Sequence, residues 1–167
     1  MYYGTIKPLD IANGPGIRVS LFVSGCRNRC KGCFNPETWN FEYGQEFTAE
    51  TFYELKRLLD NPNVAGLSIL GGDPFEPENR QTVEEICRLT KLKWPEKDIW
   101  RWTGYLFEDL RELGVMKYID VLVDGRFEED LKDLRLKWRG SSNQRVIDIQ
   151  ESLKRDQAVL WEEIEQS

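Results

Sequence analysis

Three of the four cysteines fall in one eight-residue loop, Cys26-Arg27-Asn28-Arg29-Cys30-Lys31-Gly32-Cys33, with the spacing C-x3-C-x2-C. The fourth, Cys87, lies on the inward face of a predicted helix and reads as a small buried hydrophobe. A structural zinc site wants four thiolate or imidazole ligands. This chain has no histidine, and no fourth cysteine stands near the loop. A ferredoxin-type cluster uses four cysteines and meets the same obstacle. Three thiolates and one vacancy suit a [4Fe–4S] cluster whose fourth iron is open to chemistry.

The same counts exclude other classes. Without histidine there is no Ser-His-Asp or Cys-His pair and no imidazole base. A formal charge of −6 argues against nucleic acid as partner, because phosphate binding needs a basic surface. No apolar run approaches the ~20 residues of a membrane span, and residues 1–4 lack the basic-then-apolar order of a signal peptide. Clustered reduced thiols then point to the cytoplasm. A length of 167 residues suits a single domain, 1–167.

Elements that would position the loop follow from periodicity and punctuation. Residues 2–6 read as a short strand, Asn13-Gly14-Pro15-Gly16 as a turn, and residues 17–23 as a strand running into Ser24-Gly25-Cys26. A helix capped by Thr48, with Thr51 where a capping box prefers Glu or Gln, runs to about residue 60. Strands at 64–70, 98–102, 118–123 and 144–149 alternate with helices at 78–92 and 107–113, and a terminal helix spans 151–165. Residues 127–134 read as a short helix or an extended connection. Alternation of this kind predicts an α/β fold, a partial (open) parallel β/α barrel of about five or six strands. Four loops, at Gly25-Cys26, Gly71-Gly72-Asp73, Thr103-Gly104-Tyr105 and Asp124-Gly125, each leave the end of a predicted strand. In parallel α/β folds such ends share one ligand-binding mouth. Taken alone, Gly-Gly-Asp is a turn, Asp124 a helix cap, and residues 139–145 a solvated polar loop.

The cysteine spacing directly after a first strand, followed by Gly71-Gly72-Asp73-Pro74 after the next, resembles the radical S-adenosylmethionine (SAM) superfamily. The resemblance implies that Cys26, Cys30 and Cys33 hold the cluster and are catalytic through it. Its open iron would chelate the amino and carboxylate groups of SAM. Gly32, Cys33 and Phe34 would lie near the adenine, Gly71, Gly72 and Asp73 near the methionine part, Thr103 would contact SAM, and Asp124 would face SAM or the substrate peptide. Tyr105 would help exclude water. Two positions depart from the pattern: Gly32 stands where an aromatic is common, and Asp73 where Glu is common.

A closer likeness covers about residues 4–150. Asn13-Gly14-Pro15-Gly16-Ile17-Arg18, Cys33-Phe34-Asn35-Pro36-Glu37-Thr38-Trp39, Trp102-Thr103-Gly104-Tyr105, Val121–Gly125 and Arg139-Gly140-Ser141-Ser142-Asn143-Gln144-Arg145 resemble the activators of anaerobic ribonucleoside-triphosphate reductase. That family implies a partner, the large reductase subunit, whose C-terminal loop carries a glycine to be converted to a glycyl radical. It also implies flavodoxin or ferredoxin as electron donor. An activator of another glycyl-radical enzyme, of pyruvate formate-lyase type, an iron–sulfur electron carrier, or a metal-bound interaction module are the alternatives. A carrier has no use for an open iron or for Gly71-Gly72-Asp73.

Overall fold

The computed structural model describes residues 1–162. Its centre is a sheet in the order β3-β1-β2-β4-β5-β6-β7. The strands are β1 (Tyr2–Asp10), β2 (Arg18–Val23), β3 (Gln45–Glu46), β4 (Gly66–Gly71), β5 (Asp98–Trp102), β6 (Val121–Asp124) and β7 (Arg145–Asp148). β2, β4, β5 and β6 run parallel. β1 joins β2 and β3 antiparallel, and β7 joins β6 antiparallel. The helices are α1 (Ala49–Leu59), α2 (Pro77–Lys93), α3 (Phe107–Leu110) and α4 (Ile149–Arg155).

The sequence expectation of five or six parallel strands is corrected to seven, of which four are parallel, in an open sheet. β7 runs antiparallel for a physical reason. A parallel return needs a crossover, usually a helix, and residues 125–144 contain only a 3₁₀ turn, Glu129–Leu131. β1 extends well past residue 6, and β3 had no sequence signal. The strand expected at 118–123 begins at Val121, because Tyr118 closes a 3₁₀ turn. The helix expected at 107–113 ends at Leu110.

The sheet has two faces. Val19, Leu21, Leu67, Ile69, Ile99 and Leu122 pack under α1 and α2 in the main apolar core, together with Cys87. Trp100, Val121, Val123 and Val146 form a second cluster on the other face, with Trp102, Trp138 and Trp161 against it. That second face is plugged at its lower end by Arg18, fully buried, which donates to Ser68 Oγ (2.7 Å) and Asp98 Oδ1 (2.8 Å). Its upper end, where the parallel strands finish, stays open.

α1 starts as expected at Thr48, and the Thr51 hydroxyl replaces the Glu of a capping box by accepting from Thr48 N at 3.1 Å. The terminal helix is shorter than the sequence suggested. α4 stops at Arg155, where Asp156 takes a left-handed conformation (φ 54°). Asp148 N then donates to Val159 O and Trp161 N to Val146 O, so this segment lies along β7. The Trp161 ring packs edge-on against Trp100 at 4.9 Å. Extended geometry lays that partly buried indole against the second cluster, and a continuing helix would carry it elsewhere. The rest of the expected helix, residues 163–165, lies outside the described residues.

Candidate functional site

The cysteine loop is fixed at its root and loose at its tip. Gly25 N donates to Thr38 O (2.7 Å) and Cys26 N to Trp39 O (3.2 Å). Gly25 has φ +102°, and a Cβ there would enter the Phe41 ring, so only glycine serves. Beyond Cys26 the chain passes through positive φ at Arg29 (45°) and Gly32 (76°). Cys33 N turns back to Cys30 O at 3.1 Å, and Asn35 N donates to Cys33 Sγ at 3.4 Å. Arg27 braces the loop from outside, pairing with the buried Glu76 and with Glu78 while lying over the Phe41 ring.

Gly71-Gly72-Asp73 is locked directly to that root. Gly72 N donates to Val23 O (2.7 Å) and Asp73 N to Gly25 O (2.8 Å). A Cβ on Gly72 would lie 2.6 Å from Gly25 O and 2.9 Å from Thr38 O. The contact between the two loops is thus backbone on backbone, without room for a side chain.

Asp73 is 1 % exposed, and protein donors fill its carboxylate. Phe75 N (2.9 Å) reaches Oδ1, Gly104 N (2.9 Å) and Asn28 Nδ2 (3.2 Å) reach Oδ2, and Thr103 Oγ1 spans both oxygens at 2.8 and 2.9 Å. Burial pushes its pKa up to about 6, against the lowering effect of these bonds. Asp73 therefore ties the loops after β4 and β5 to Asn28 of the cysteine loop. Arg101, fully buried on β5, supports the same loop by donating to Pro74 O at 3.1 Å from above the Phe75 ring.

A cavity of about 500 Å³ opens over these strand ends. Cys26, Cys30 and Cys33 line it, as do Phe34, Gly71, Gly72, Asp73 and Thr103. The sequence expectation that several strand-end loops share one mouth matches this geometry. Three expected residues do not line it. Gly32 is exposed, with its α-carbon side against Glu129. Phe34 faces the cavity in its place, with its ring 5.1 Å from Phe127. Asp124 is fully buried and its carboxylate is committed elsewhere: it caps α3 through Phe107 N (2.8 Å) and pairs with Arg145. The bland alternative, a helix cap, is what the fold makes of it. Tyr105 also turns from the cavity, giving its hydroxyl to Glu76; burial and that carboxylate push its pKa up to about 12.

Asn28, Phe127, Arg139 and Gln144 also face the cavity and were not expected there. Asn28 lay inside the cysteine motif, but a spacer position carries no signal of where its side chain points. Arg139 and Gln144 belonged to a polar stretch that could equally be solvated.

The donor set fits an iron–sulfur cluster. The three loop cysteines are free thiols, half-buried, at one cavity wall. Cys87 is fully buried in the opposite core and cannot serve as a fourth ligand to the same group. Among the described residues no three Cys, Asp or Glu side chains converge as the ligand set of a single ion, whereas a cluster takes its thiolates on separate irons. Desolvation pushes the Cys26 thiol up to about 11.

Comparison with known proteins places this arrangement in a class. Residues 12–147 match the model of a family described as a 4Fe-4S single cluster domain. Within that class, the chain is 49% identical over 146 residues to a protein of Enterobacteria phage T4, covering 87% of this chain and 93% of the relative. It is 43% identical over 148 residues to one of Vibrio cholerae serotype O1 (86% and 96%) and 44% identical over 150 residues to one of Escherichia coli K12 (87% and 97%). All three carry the name anaerobic ribonucleoside-triphosphate reductase-activating protein, and this chain belongs to their family.

Proposed function

We propose that this chain binds a [4Fe–4S] cluster through Cys26, Cys30 and Cys33, binds SAM at the open iron, and installs a glycyl radical on the large subunit of anaerobic ribonucleoside-triphosphate reductase. The observation that carries the reading is the meeting, at one cavity, of three thiols without a fourth and the Gly71-Gly72 backbone. Held by Cys26, Cys30 and Cys33 and reduced, the cluster would supply one electron for cleaving the SAM sulfonium to methionine and a 5′-deoxyadenosyl radical, which would take an α-hydrogen from the partner's glycine.

The chain's own residues bind and orient. Gly71 and Gly72 offer backbone that a SAM ammonium can approach, since no side chain stands between. Asp73 acts indirectly. With its oxygens already occupied, it holds Thr103, Gly104 and Asn28 in place. Phe34 and Phe127 provide an apolar wall where an aromatic next to the third cysteine was expected. An open sheet leaves the cavity accessible to a peptide segment of the partner. Flavodoxin or ferredoxin would deliver the electron, and the cytoplasm would be the compartment. The whole chain, 1–167, would act as one domain of radical SAM type.

The test is anaerobic reconstitution, reduction and addition of SAM. The reading expects about four irons per chain, set by the cluster type, and release of methionine with 5′-deoxyadenosine. Iron uptake without SAM cleavage would instead favour an electron carrier.

A further inference from the structure

Four charged side chains line the cavity: Lys7, Asp73, Asp133 and Arg139. Asp73 is filled by protein donors, and Asp133 pairs with Arg135 at 2.9 Å. Lys7 rests its ammonium 5.1 Å from the Phe22 ring centre and lies in the field of Asp10.

Arg139 is different. Its Nη1 donates to Gln144 O (2.7 Å) and Ser142 O (3.2 Å), which fixes the guanidinium plane on its own loop. Its Nε is buried and has no hydrogen-bond partner. Burial alone lowers its pKa, and no carboxylate offsets that cost among the described residues. Two other guanidinium groups near the strand ends are committed to carboxylates, Arg27 to Glu76 and Glu78, and Arg145 to Asp124 and Glu108; Arg101 also has unpartnered nitrogens, but it does not line the cavity.

The loop that carries Arg139 is built rather than loose. Gln144 Oε1 accepts from Gly140 N (2.8 Å) and Ser141 N (3.1 Å), while Gln144 Nε2 donates to Gly125 O (2.9 Å). Gly140 packs against Phe34 and Phe127, so closely that a Cβ would lie 2.9 Å from the Phe34 ring. Arg139 is thereby held beside the neighbour of Cys33. A guanidinium anchored by Nη1 keeps its Nε–Nη2 edge as a fork that matches a carboxylate or a phosphate; of these, SAM carries only a carboxylate.

We propose that Arg139 is a carboxylate-binding residue of this cavity, its Nε–Nη2 edge receiving a carboxylate of the ligand seated against the cysteine loop. The inference rests on the reading of the cavity as the SAM site, and the carboxylate has two sources: the methionyl group of SAM, or an acidic group of the partner's glycine-bearing segment.

The experiment uses the cluster-loaded protein. Affinities are measured for SAM and for decarboxylated SAM by equilibrium dialysis against the cluster-loaded protein. They are also measured for a synthetic peptide of the partner segment, with its acidic groups free or amidated. Arg139→Met is expected to weaken SAM binding at least tenfold and to leave decarboxylated SAM unaffected relative to wild type, with Arg139→Lys in between. If SAM is unaffected and the free-acid peptide loses tenfold while the amidated one does not, Arg139 serves the partner's carboxylate. Arg139→Met binding every ligand as wild type does, or losing the ligands with and without carboxylate equally, overturns the proposal. Should Arg139→Met fail to take up iron, Arg139→Lys, which keeps the charge and loses the fork, is read by the same criteria. A wild-type protein that takes up iron and binds no SAM counts against the proposed function, and the peptide arm still decides on Arg139.

Discussion

Cys26–Cys33 and Gly71–Asp73 both line the cavity, yet they are stabilised differently. The cysteine loop passes through left-handed backbone at Arg29 and Gly32, keeps its thiols half-buried, and is held mostly at its root. The Gly71–Asp73 loop meets Gly25 backbone to backbone and ends in the buried Asp73, whose carboxylate is saturated by Phe75, Thr103, Gly104 and Asn28. One loop is shaped by the fold before any ligand arrives; the other is left for its ligand to complete. The contrast suits metal chemistry, in which binding free energy can order the ligand loop, while a small-molecule site must exist beforehand if it is to orient its ligand.

The contrast breaks most visibly at the thiols. Cys26→Ala, Cys30→Ala or Cys33→Ala is each expected to reduce SAM cleavage to background, while Cys87→Ala, altered only in the apolar core, retains it. Iron content and released 5′-deoxyadenosine check this. Equal loss from Cys87→Ala would refute the assignment of three ligands.

The prebuilt side has its own signature in pH. Folding raises the Asp73 pKa from its ordinary 3.8 to about 6. The folded chain then holds this proton through a window in which the unfolded chain releases it, so the Asp73 contribution favours folding at pH 4 and is lost as pH rises to 6. A shift of about two units corresponds to ~3 kcal/mol. Denaturant unfolding of the cluster-free protein across pH 4–7 should show this slope, and Asp73→Asn should remove it. The same slope in both proteins would assign it elsewhere.

Gly72→Val tests whether the two loops are mechanically joined. With Gly25 O only 2.6 Å from the new Cβ, overpacking should cost about 1–3 kcal/mol. It should also disturb cluster uptake together with SAM affinity, because Gly25 precedes Cys26. A normal cluster spectrum with weakened SAM binding would show that the loops act independently. The smallest effect is expected at Asn28→Ala, which removes one hydrogen bond worth ~1 kcal/mol. It should weaken SAM binding several-fold at unchanged iron content; unchanged affinity would remove Asn28 from the connection.

Much of this was legible in the sequence because strong local signals coincide with the parallel centre. The strand at 98–102, the cap at Thr48 and the loops at Cys26, Gly72 and Thr103 follow from short-range patterning. What escaped depends on tertiary context. Strand direction at β7 turns on how residues 125–144 return, and the sequence there mixes charge and apolar residues without a period. Val159-Leu160-Trp161 fits a helix by composition, yet packs extended because Trp100 offers an indole to cover. Asp124 and Gly125 follow a strand as a ligand-binding pair would, but Arg145 on the neighbouring strand claims the carboxylate. Which way a spacer such as Asn28 points is a property of the folded loop alone.

The most direct test of the central claim joins both sides of the cavity in one sample. Cluster-loaded, reduced protein is mixed with the large subunit of anaerobic ribonucleoside-triphosphate reductase, with and without SAM, and followed by electron spin resonance and by 5′-deoxyadenosine release. The account predicts a glycyl radical signal that needs both SAM and reductant and accompanies 5′-deoxyadenosine formation. A radical that forms without SAM, or SAM cleavage that persists in Cys33→Ala, contradicts it.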